Sequence, residues 1–519
     1  MSAGAVAARE RSSAGEASAD GLARWWPLAL LMLAAAVLRL STLDLQSLWY
    51  DEAFTPVHVL HASLSATLRA MVHSENSPPL WYVLEWADTR VLGDGEVALR
   101  LPSALAGIAT VPVAWAIGQE LAGRRAAILS AAIVAVNPLF VWYSQEARVY
   151  SLFVLTVAVA MLCFVRAERT DPGDPASRRR LAAFALSGGV AMATHYFAVF
   201  LLIPMVALLL RDPRRRRAAA PAVGALVLVG LALLPLISAQ GGHGTQWIGR
   251  WPISERLQAI PQYYLTGYSG APLGHGVELL VALLVAGGMA LGLWRISEPP
   301  PRSGANAAPG RDDAAQLARE RHGALLAFTI VAAGVSTPVV LALIGADYLA
   351  PRNLVAAMIP LTGLVAVLVA TPRSAPAGTA IAAAIVLAMA AISIDVNLSP
   401  RLQRGDWRGV AHALGPAATA RAITTVELGG APLEYYLPEL RNLRAGASAR
   451  VSEIDETGYA PLRASAGTPP APGFKLFERL NVNGLIVYRF RSELPRVLSE
   501  AELRRHVITR ARPEVLVPR

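Results

Sequence analysis

Two adjacent carboxylates, Asp51 and Glu52, lie in the sequence SLWYDEAF directly after the first long apolar segment. Three aromatic residues, Trp49, Tyr50 and Phe54, surround them. A carboxylate at a membrane surface acts as a general base when an acceptor hydroxyl or amine reaches it. The alternative is structural, because acidic residues also stabilise the N-terminus of a helix that follows. We predict that Asp51 is a catalytic base and that Glu52 supports or orients it.

Further along the same segment, HSENSPPLWY places His73 and Glu75 shortly before a double proline. Pro78 and Pro79 fix the backbone where a helix begins, so their own role is geometric. We predict that His73 and Glu75 bind substrate, and simple exposure to solvent is the equal alternative.

Arginines open three of the apolar segments, Arg100 in ALRLPSALAG, Arg148 in WYSQEARVYSL and Arg352 in DYLAPRNL. The guanidinium group holds phosphate with two parallel donors. Three such groups at one membrane level suit a phosphate held at the surface, although interfacial arginines also contact lipid headgroups. We also predict that His195 in THYF, Tyr50 and Tyr143 contact the substrate. For His195 a structural role is the common alternative.

The composition indicates an integral membrane protein. The chain has 519 residues, of which 54% are hydrophobic and 16% charged, whereas soluble proteins carry about 25% charged residues. Its single cysteine excludes an intramolecular disulfide. The sequence contains no Gly-rich phosphate loop, no CxxC, no HExxH and no clear acidic triplet of the kind that metal-dependent nucleotide-sugar enzymes use. We therefore expect no nucleotide donor, no nucleic-acid partner and no required cofactor, with a divalent metal possible but not indicated.

The hydropathy pattern predicts about eleven transmembrane helices, since a span needs about 20 apolar residues. The segments lie near 24–41, 101–121, 126–142, 149–165, 181–194, 196–210, 218–238, 276–294, 323–345, 353–370 and 378–394. Residues 1–23 have no periodicity and are expected to form a disordered cytoplasmic tail.

Arginine clusters fall in alternate loops, for example at 166–180 and 211–217. Basic residues concentrate in cytoplasmic loops, so the first exterior loop is predicted to be 42–100. The aromatic segment 239–275 then also faces outside, where it either lies at the headgroup level or grips a substrate.

After residue 395 the chain becomes soluble in character. DWRGVAHAL and APLEYYLPEL are predicted helices, and AITTVEL, GLIVYRF and HVITR are short β-rich runs. Residues 396–519 are therefore expected to form a small exterior α/β domain with a binding or capping role. Residues 24–395 form the all-α polytopic part.

LWYDEAF, ENSPPLWY, LRLPSALAG and WYSQEARVYSL, in this order and followed by THYF and APRNL, resemble glycosyltransferase family 39. That group of the GT-C superfamily contains protein O-mannosyltransferases and lipid A aminoarabinose transferases, and the resemblance covers most of 24–395. It implies a membrane enzyme that uses a polyprenyl-phosphate sugar, with Asp51 as the base, Glu52 as its partner and Arg148 in a motif associated with the donor phosphate.

One position departs from the family pattern. Ser77 precedes the double proline, where aminoarabinose transferases show a lysine and the mannosyltransferases have a histidine. Neither substrate class can be carried over, and the phosphate partner is expected among the arginines.

We predict a multi-pass cell-membrane glycosyltransferase whose active site and C-terminal domain face the exterior. It would transfer a sugar from the polyprenyl-phosphate donor to a cell-envelope lipid, glycan or protein by a single inverting displacement, in contact with membrane lipids. The alternatives are a transporter or flippase of a lipid-linked sugar and a non-catalytic envelope-assembly protein. Transporters usually carry ionisable residues or broken helices at the membrane midplane, whereas the polar residues here collect at one face.

Overall fold

A computed structural model describes residues 25–243, 245, 247–268, 272–298, 311–371, 375–416, 420–509 and 513–519. The tail predicted at 1–23 lies outside the described residues. A helical part extends to Leu398, and a six-stranded sheet with short helices follows.

The helices of the first part, in chain order, are α1 Trp25–Leu40, α2 Tyr50–Phe54, α3 Leu64–Ser74, α4 Leu80–Leu92, α5 Glu96–Ala122, α6 Arg124–Val136, α7 Pro138–Ser144, α8 Tyr150–Arg169, α9 Pro175–Thr194, α10 Ala198–Arg211, α11 Pro213–Gln240, α12 Ile253–Thr266, α13 His275–Ser297, α14 Arg311–Leu343, α15 Met358–Val369 and α16 Ala375–Leu398.

Each of the eleven predicted spans coincides with helical structure in the described chain. Seven helices there are long and apolar enough to cross a membrane, or eight if the bent pair α6–α7 is one span. Two shorter apolar helices, α1 and α10, accompany them. The helical class and the multi-span organisation predicted from the sequence are confirmed.

The bend between α6 and α7 measures 54° and has a local cause. Pro138 lacks a backbone N–H, so it cannot continue the hydrogen-bond ladder of α6. Arg39, which is fully buried, donates to the carbonyls of Ala135 at 2.7 Å and Val134 at 2.8 Å. The Ser393 hydroxyl donates to the last carbonyl of α6 at 2.6 Å. Side chains from α1 and α16 thus satisfy the carbonyls that the break exposes.

Helices α5 and α6 approach each other at backbone distance. A Cβ atom added to Gly118 would lie 2.5 Å from the carbonyl oxygen of Ala126, which is closer than any side chain tolerates. The glycine therefore fixes how closely α6 packs on α5.

The segment between α1 and α5 forms three helices. Trp49 is extended, with φ −104° and ψ −178°, and α2 begins at the next residue. A π-helical turn, Thr55–Val59, continues α2. Ser63 caps α3 by accepting a hydrogen bond from the N–H of Ala66, and Pro79 precedes α4, as the double proline predicts. Asp51 is consequently fixed in the first turn of a short helix.

The C-terminal part contains helices α17 Trp407–Leu414, α18 Gly430–Tyr436 and α19 Glu500–Arg505, and strands β1 Arg421–Val426, β2 Leu440–Asn442, β3 Ser448–Tyr459, β4 Phe474–Val482, β5 Leu485–Ser499 and β6 Pro513–Pro518. The strand order is β2-β6-β1-β3-β5-β4. The pair β1–β3 is parallel and the other neighbours are antiparallel. Apolar side chains pack on both faces of the sheet.

The predicted helices and two of the three predicted strands are present in this domain. The strand predicted at HVITR is wrong over its described residues 506–509, which are irregular. The chain there leaves α19, whose start is fixed by a capping box between Ser499 and Glu502. It joins the sheet only at β6, with Ile508 buried on the way.

The sheet domain docks onto α7, onto the residues that follow it and onto α2, which carries Asp51. Arg404 donates to the carboxylate of Glu146 at 2.8 Å, and its guanidinium lies 4.1 Å from the ring centre of Trp142. Trp407 packs edge-on against Tyr50 with ring centres 5.8 Å apart. The C-terminal domain therefore contacts the residue adjacent to Asp51 in the chain.

Candidate active site

A cavity of about 730 Å³ lies where the segment between α1 and α5 meets the ends of several helices. Its charged end is lined by Asp51, Glu75, Arg148 and Arg352. These four residues come from parts of the sequence that are up to 301 residues apart. The cavity thus joins motifs that the sequence analysis treats separately.

Asp51 forms an ion pair with Arg352, with 2.6 Å between Oδ2 and Nη1. The Asp51 side chain is 16% exposed, so the carboxylate can be reached from the cavity. Burial alone would raise the pKa of this carboxyl, but the positive charges of Arg352 and Arg148 outweigh burial and hold the pKa below its ordinary value. Asp51 is therefore an anion in this arrangement.

Arg352 belongs to the 3₁₀ turn Pro351–Ala357 that leads into α15. Its guanidinium carbon lies 4.9 Å from the ring centre of Trp247 and 5.9 Å from that of Tyr150. Aromatic faces attract a cation that lies over them. The rings fix the guanidinium laterally while the carboxylate of Asp51 holds one nitrogen.

Arg148 pairs with Glu75 at 3.0 Å, and it also donates to the backbone carbonyl of Asp51 at 3.2 Å. Burial disfavours the charged guanidinium, but the nearby carboxylate of Glu75 outweighs burial and raises the pKa of Arg148 above its ordinary value. Arg148 is therefore a permanent positive charge that holds the backbone beside the candidate base.

Glu52 and Arg100 lie behind the cavity and do not line it. Arg100 is 1% exposed and donates to both carboxylate oxygens of Glu52 at 2.8 Å. The remaining donors reach the carbonyls of Leu43, Gln46 and Ser47. This arrangement leaves no donor of Arg100 for a phosphate in the cavity. The pair instead anchors the segment that precedes α2.

The charge of Glu52 is maintained by its partners. Burial would raise its pKa, but the charges of Arg100 and Arg404, with a hydrogen bond from the N–H of Ala147, lower the pKa below its ordinary value. Glu52 is fully buried, so it is placed to support Asp51 through the backbone of α2 and has no path to a substrate.

His195, between α9 and α10, lines the cavity. Its ring stacks on Phe153 with centres 4.4 Å apart. Burial, assisted by the charges of Arg352 and Arg148, lowers the pKa of His195 to about 3. The N–H of Phe197 donates to Nδ1 at 3.2 Å, which assigns the proton of the neutral imidazole to Nε2. His195 is therefore a neutral hydrogen-bond donor.

The other three predicted contacts differ in position. Tyr50 lines the cavity. Tyr143 is buried against Tyr150 with ring centres 4.7 Å apart, and it lines a much smaller neighbouring cavity. His73 is exposed, with Nδ1 2.7 Å from the carbonyl oxygen of Arg69, and is not among the cavity-lining residues.

Several lining residues are absent from the predicted site. Trp247, Tyr348 and Gln240 belong to loops and helix ends, and Leu428 comes from the sheet domain. The density of aromatic residues in 239–275 is the sequence signal for Trp247, whereas Leu428 has none. Within the described ranges, no group of three or more His, Cys, Asp or Glu side chains is arranged to hold a metal ion.

The other end of the cavity is apolar. Its walls come from α10, α11 and α14, and α10 contacts both of the other two helices. On α11 the lining residues Val227, Leu231 and Leu234 recur at helical spacing and are more than half exposed. The apolar end therefore opens towards the side of the helical part where lipid chains would lie.

Residues 76–238 match the model of the family described as dolichyl-phosphate-mannose-protein mannosyltransferase. The structure is similar to that of ArnT from Cupriavidus metallidurans bound to undecaprenyl phosphate, with 13% sequence identity, a TM-score of 0.52 and coverage of 89% of this chain and 97% of the other. The chain has the GT-C fold.

Two further likenesses are with the apo state of the same ArnT and with the Pmt1–Pmt2 complex of S. cerevisiae. The apo structure matches at 13% identity and a TM-score of 0.51, covering 91% of this GT-C chain and 98% of ArnT. The yeast complex, described as bound to the sugar donor, matches at 18% identity and a TM-score of 0.34, covering 42% and 34%. No curated protein matches this GT-C chain in sequence. The family resemblance inferred from the motifs is confirmed over residues 76–238.

Proposed function

We propose that this protein is a membrane glycosyltransferase that moves one sugar from a polyprenyl-phosphate carrier to a cell-envelope acceptor. The observation that carries the proposal is the lining of the cavity, which combines the charged residues Asp51, Arg148 and Arg352 with apolar side chains from α10, α11 and α14. An amphipathic donor with an isoprenoid tail and a phosphate head fits both ends at once.

The apolar end would hold the tail. Leu231 and Leu234 of α11 are 55% and 53% exposed, and a tail that enters from the bilayer exchanges contacts with lipid chains for contacts with these side chains, so it is held by packing and not by removal from water. A long isoprenoid enters from the bilayer through this side, so no aqueous route for the donor is needed.

The charged end would perform the chemistry. The acceptor oxygen attacks the anomeric carbon, the bond from that carbon to the phosphate oxygen breaks, and the phosphate leaves with the electron pair. The acceptor proton passes to the carboxylate of Asp51. The leaving phosphate changes from one negative charge to two, and Arg148 and Arg352 stabilise this added charge. One displacement inverts the anomeric configuration, and Glu52 supports Asp51 from behind.

Two other lining residues have supporting roles in this proposal. The neutral imidazole of His195 offers an N–H to the sugar or to the phosphate. The ring of Tyr50 carries an apolar contact surface beside Asp51. The ArnT structure bound to undecaprenyl phosphate supports the choice of carrier.

We further propose that the cavity and the sheet domain face the exterior. Arg166, Arg169 and the cluster Arg214–Arg217 lie at the ends of α8 and α11 opposite to the cavity, and basic residues are retained on the cytoplasmic side. Labelling of single engineered cysteines in intact cells would test the orientation. We expect a Leu494→Cys variant to react with a membrane-impermeant maleimide. The side chain of Leu494 is 72% exposed in the sheet domain.

The activity is tested with Asp51→Asn, which keeps the shape of the side chain but removes the base. A panel of radiolabelled polyprenyl-phosphate sugars is incubated with membranes that contain the protein. Label is expected to move to acceptor with wild type and to remain on the carrier with Asp51→Asn. Asp347→Asn is the matched control, because Asp347 forms a similar pair with Arg256 at 2.6 Å and does not line the cavity.

Turnover by Asp51→Asn at the wild-type rate would contradict the assignment of the base. Carrier that crosses the bilayer with its sugar still attached would indicate a transporter.

A further inference from the structure

The ion pair between Asp51 and Arg352 occupies the two groups that the proposed reaction needs in separate roles. The base has to accept a proton, and the cation has to hold a phosphate. With 2.6 Å between Oδ2 and Nη1, the carboxylate and the guanidinium compensate each other's charge in this arrangement.

We propose that the donor phosphate displaces Asp51 from Arg352, so that the donor binds first and its arrival releases the base. This inference rests on the proposed function. It adds an order of binding and makes Asp51 a competitor of the phosphate before it is a catalyst.

The accessibility of the ion pairs identifies the pair that opens. The side chains of Arg352 and Asp51 are 22% and 16% exposed, whereas those of Arg148 and Glu75 are 10% and 6% exposed. Arg148 also holds the backbone of Asp51, so its departure would disturb α2. The phosphate therefore meets its least obstructed cation at Arg352.

The position of Arg352 does not depend on Asp51. The rings of Trp247 and Tyr150 lie beside its guanidinium, and they remain after the carboxylate leaves. Within the part of the chain that the structure describes, the guanidinium of Arg352 donates a hydrogen bond to a protein acceptor through Nη1 alone. The guanidinium fork is otherwise available to a phosphate.

The exchange changes the chemistry of Asp51 in the useful direction. Arg352 is the strongest charge that holds the pKa of Asp51 down, and a carboxylate held in this way is a poor proton acceptor. A phosphate on Arg352 neutralises that charge and places a negative charge near the carboxylate. The pKa of Asp51 then rises, and the base becomes stronger only when a donor is present.

The competition is tested by equilibrium binding of undecaprenyl phosphate to the purified full-length protein, without acceptor or sugar. Removal of a competitor strengthens binding, so Asp51→Asn is expected to bind roughly fivefold more tightly than wild type, as the loss of an ion pair worth about 1 kcal/mol implies. Asp347→Asn is expected to bind as wild type does. Undecaprenol, which has no phosphate, is expected to bind equally to wild type and to Asp51→Asn.

A double-variant comparison separates contact competition from a general effect of charge. In an Arg352→Gln background, Asp51→Asn is expected to give no further tightening, because the contested cation is absent. Unchanged or weaker binding by Asp51→Asn alone would overturn the proposal and leave the proposed function standing, as would equal tightening in both backgrounds. Failure of wild type to bind undecaprenyl phosphate would instead count against the proposed function.

Discussion

Replacement of Arg100 distinguishes a phosphate ligand from a structural anchor. Arg100 donates five hydrogen bonds, two of them to Glu52, and both side chains are excluded from solvent. Removing one partner of a buried ion pair costs about 3–5 kcal/mol, because the remaining charge is left without compensation. Arg404, 4.0 Å from Glu52, is too distant to replace the lost hydrogen bonds. We therefore expect Arg100→Gln to destabilise the protein by about 3–5 kcal/mol.

The measurement is unfolding of the purified protein in detergent, followed by tryptophan fluorescence as denaturant is added. The double variant Glu52→Gln/Arg100→Gln removes the uncompensated charge, and it is expected to recover roughly 1–2 kcal/mol of the loss. Arg408→Gln is the matched control, since Arg408 pairs with Glu96 at 3.2 Å but is 44% exposed. An exposed pair of this kind contributes about 0–1 kcal/mol.

Binding of undecaprenyl phosphate to the folded fraction completes the test. If Arg100 is an anchor, the Arg100→Gln protein that remains folded binds the lipid with nearly wild-type affinity. An Arg100→Gln variant with wild-type stability and greatly weakened lipid binding would refute the reasoning, and it would restore Arg100 as the phosphate ligand that the sequence suggests.

Three further predictions concern the helix break, the close contact of α5 with α6, and the cavity histidine. Arg39→Met leaves two buried carbonyls without donors and should lower the free energy of unfolding by about 2–4 kcal/mol, whereas a wild-type value would show that other groups satisfy them. Gly118→Val forces α5 away from the backbone of α6 and should cost at least about 1–3 kcal/mol in the same assay; an unchanged unfolding midpoint would contradict the close packing. Because the pKa of His195 is lowered to about 3, protonation favours the unfolded chain, in which the pKa of histidine is about 6.5. Stability should fall as the pH drops from about 6.5 towards 3, less steeply in His195→Gln, and equal slopes would show that His195 does not titrate in this way.

The helical part could be predicted because its signal is local. Each span is an apolar segment, and each produced helical structure in the described chain. The bend before Pro138 could also be anticipated from the proline. The sequence does not show that Arg39 and Ser393 satisfy the carbonyls that the bend exposes, because those contacts join residues 95 or more apart. In the sheet domain, HVITR has β-forming residues without a neighbouring strand to pair with over 506–509. Pairing is a tertiary property that composition does not report.

The candidate site was predictable to the same degree. Asp51, Glu75, Arg148, Arg352 and His195 occur in compact motifs and line one cavity, although their chemical roles stay predictions. Arg100 belongs to an equally compact motif, yet its donors are taken by Glu52 and by carbonyls. Residue type and spacing do not distinguish an arginine that faces a cavity from one that faces a buried carboxylate.

The buried Arg39 has a consequence for the order in which the chain enters the membrane. Its partners on α6 and α7 lie 95 to 105 residues further along the sequence, and a ribosome needs roughly 5–20 seconds to add that length. Until then the guanidinium on α1 lacks these partners and can bind only the carbonyl of Ala35 in its own helix, at 3.3 Å, so it is drawn towards the polar headgroup region. We expect α1 to remain at the translocon or tilted towards the surface during this interval. Its final seating in the protein then waits for α6 and α7, so insertion of the first helix depends on the fifth and sixth helices that follow it in the chain.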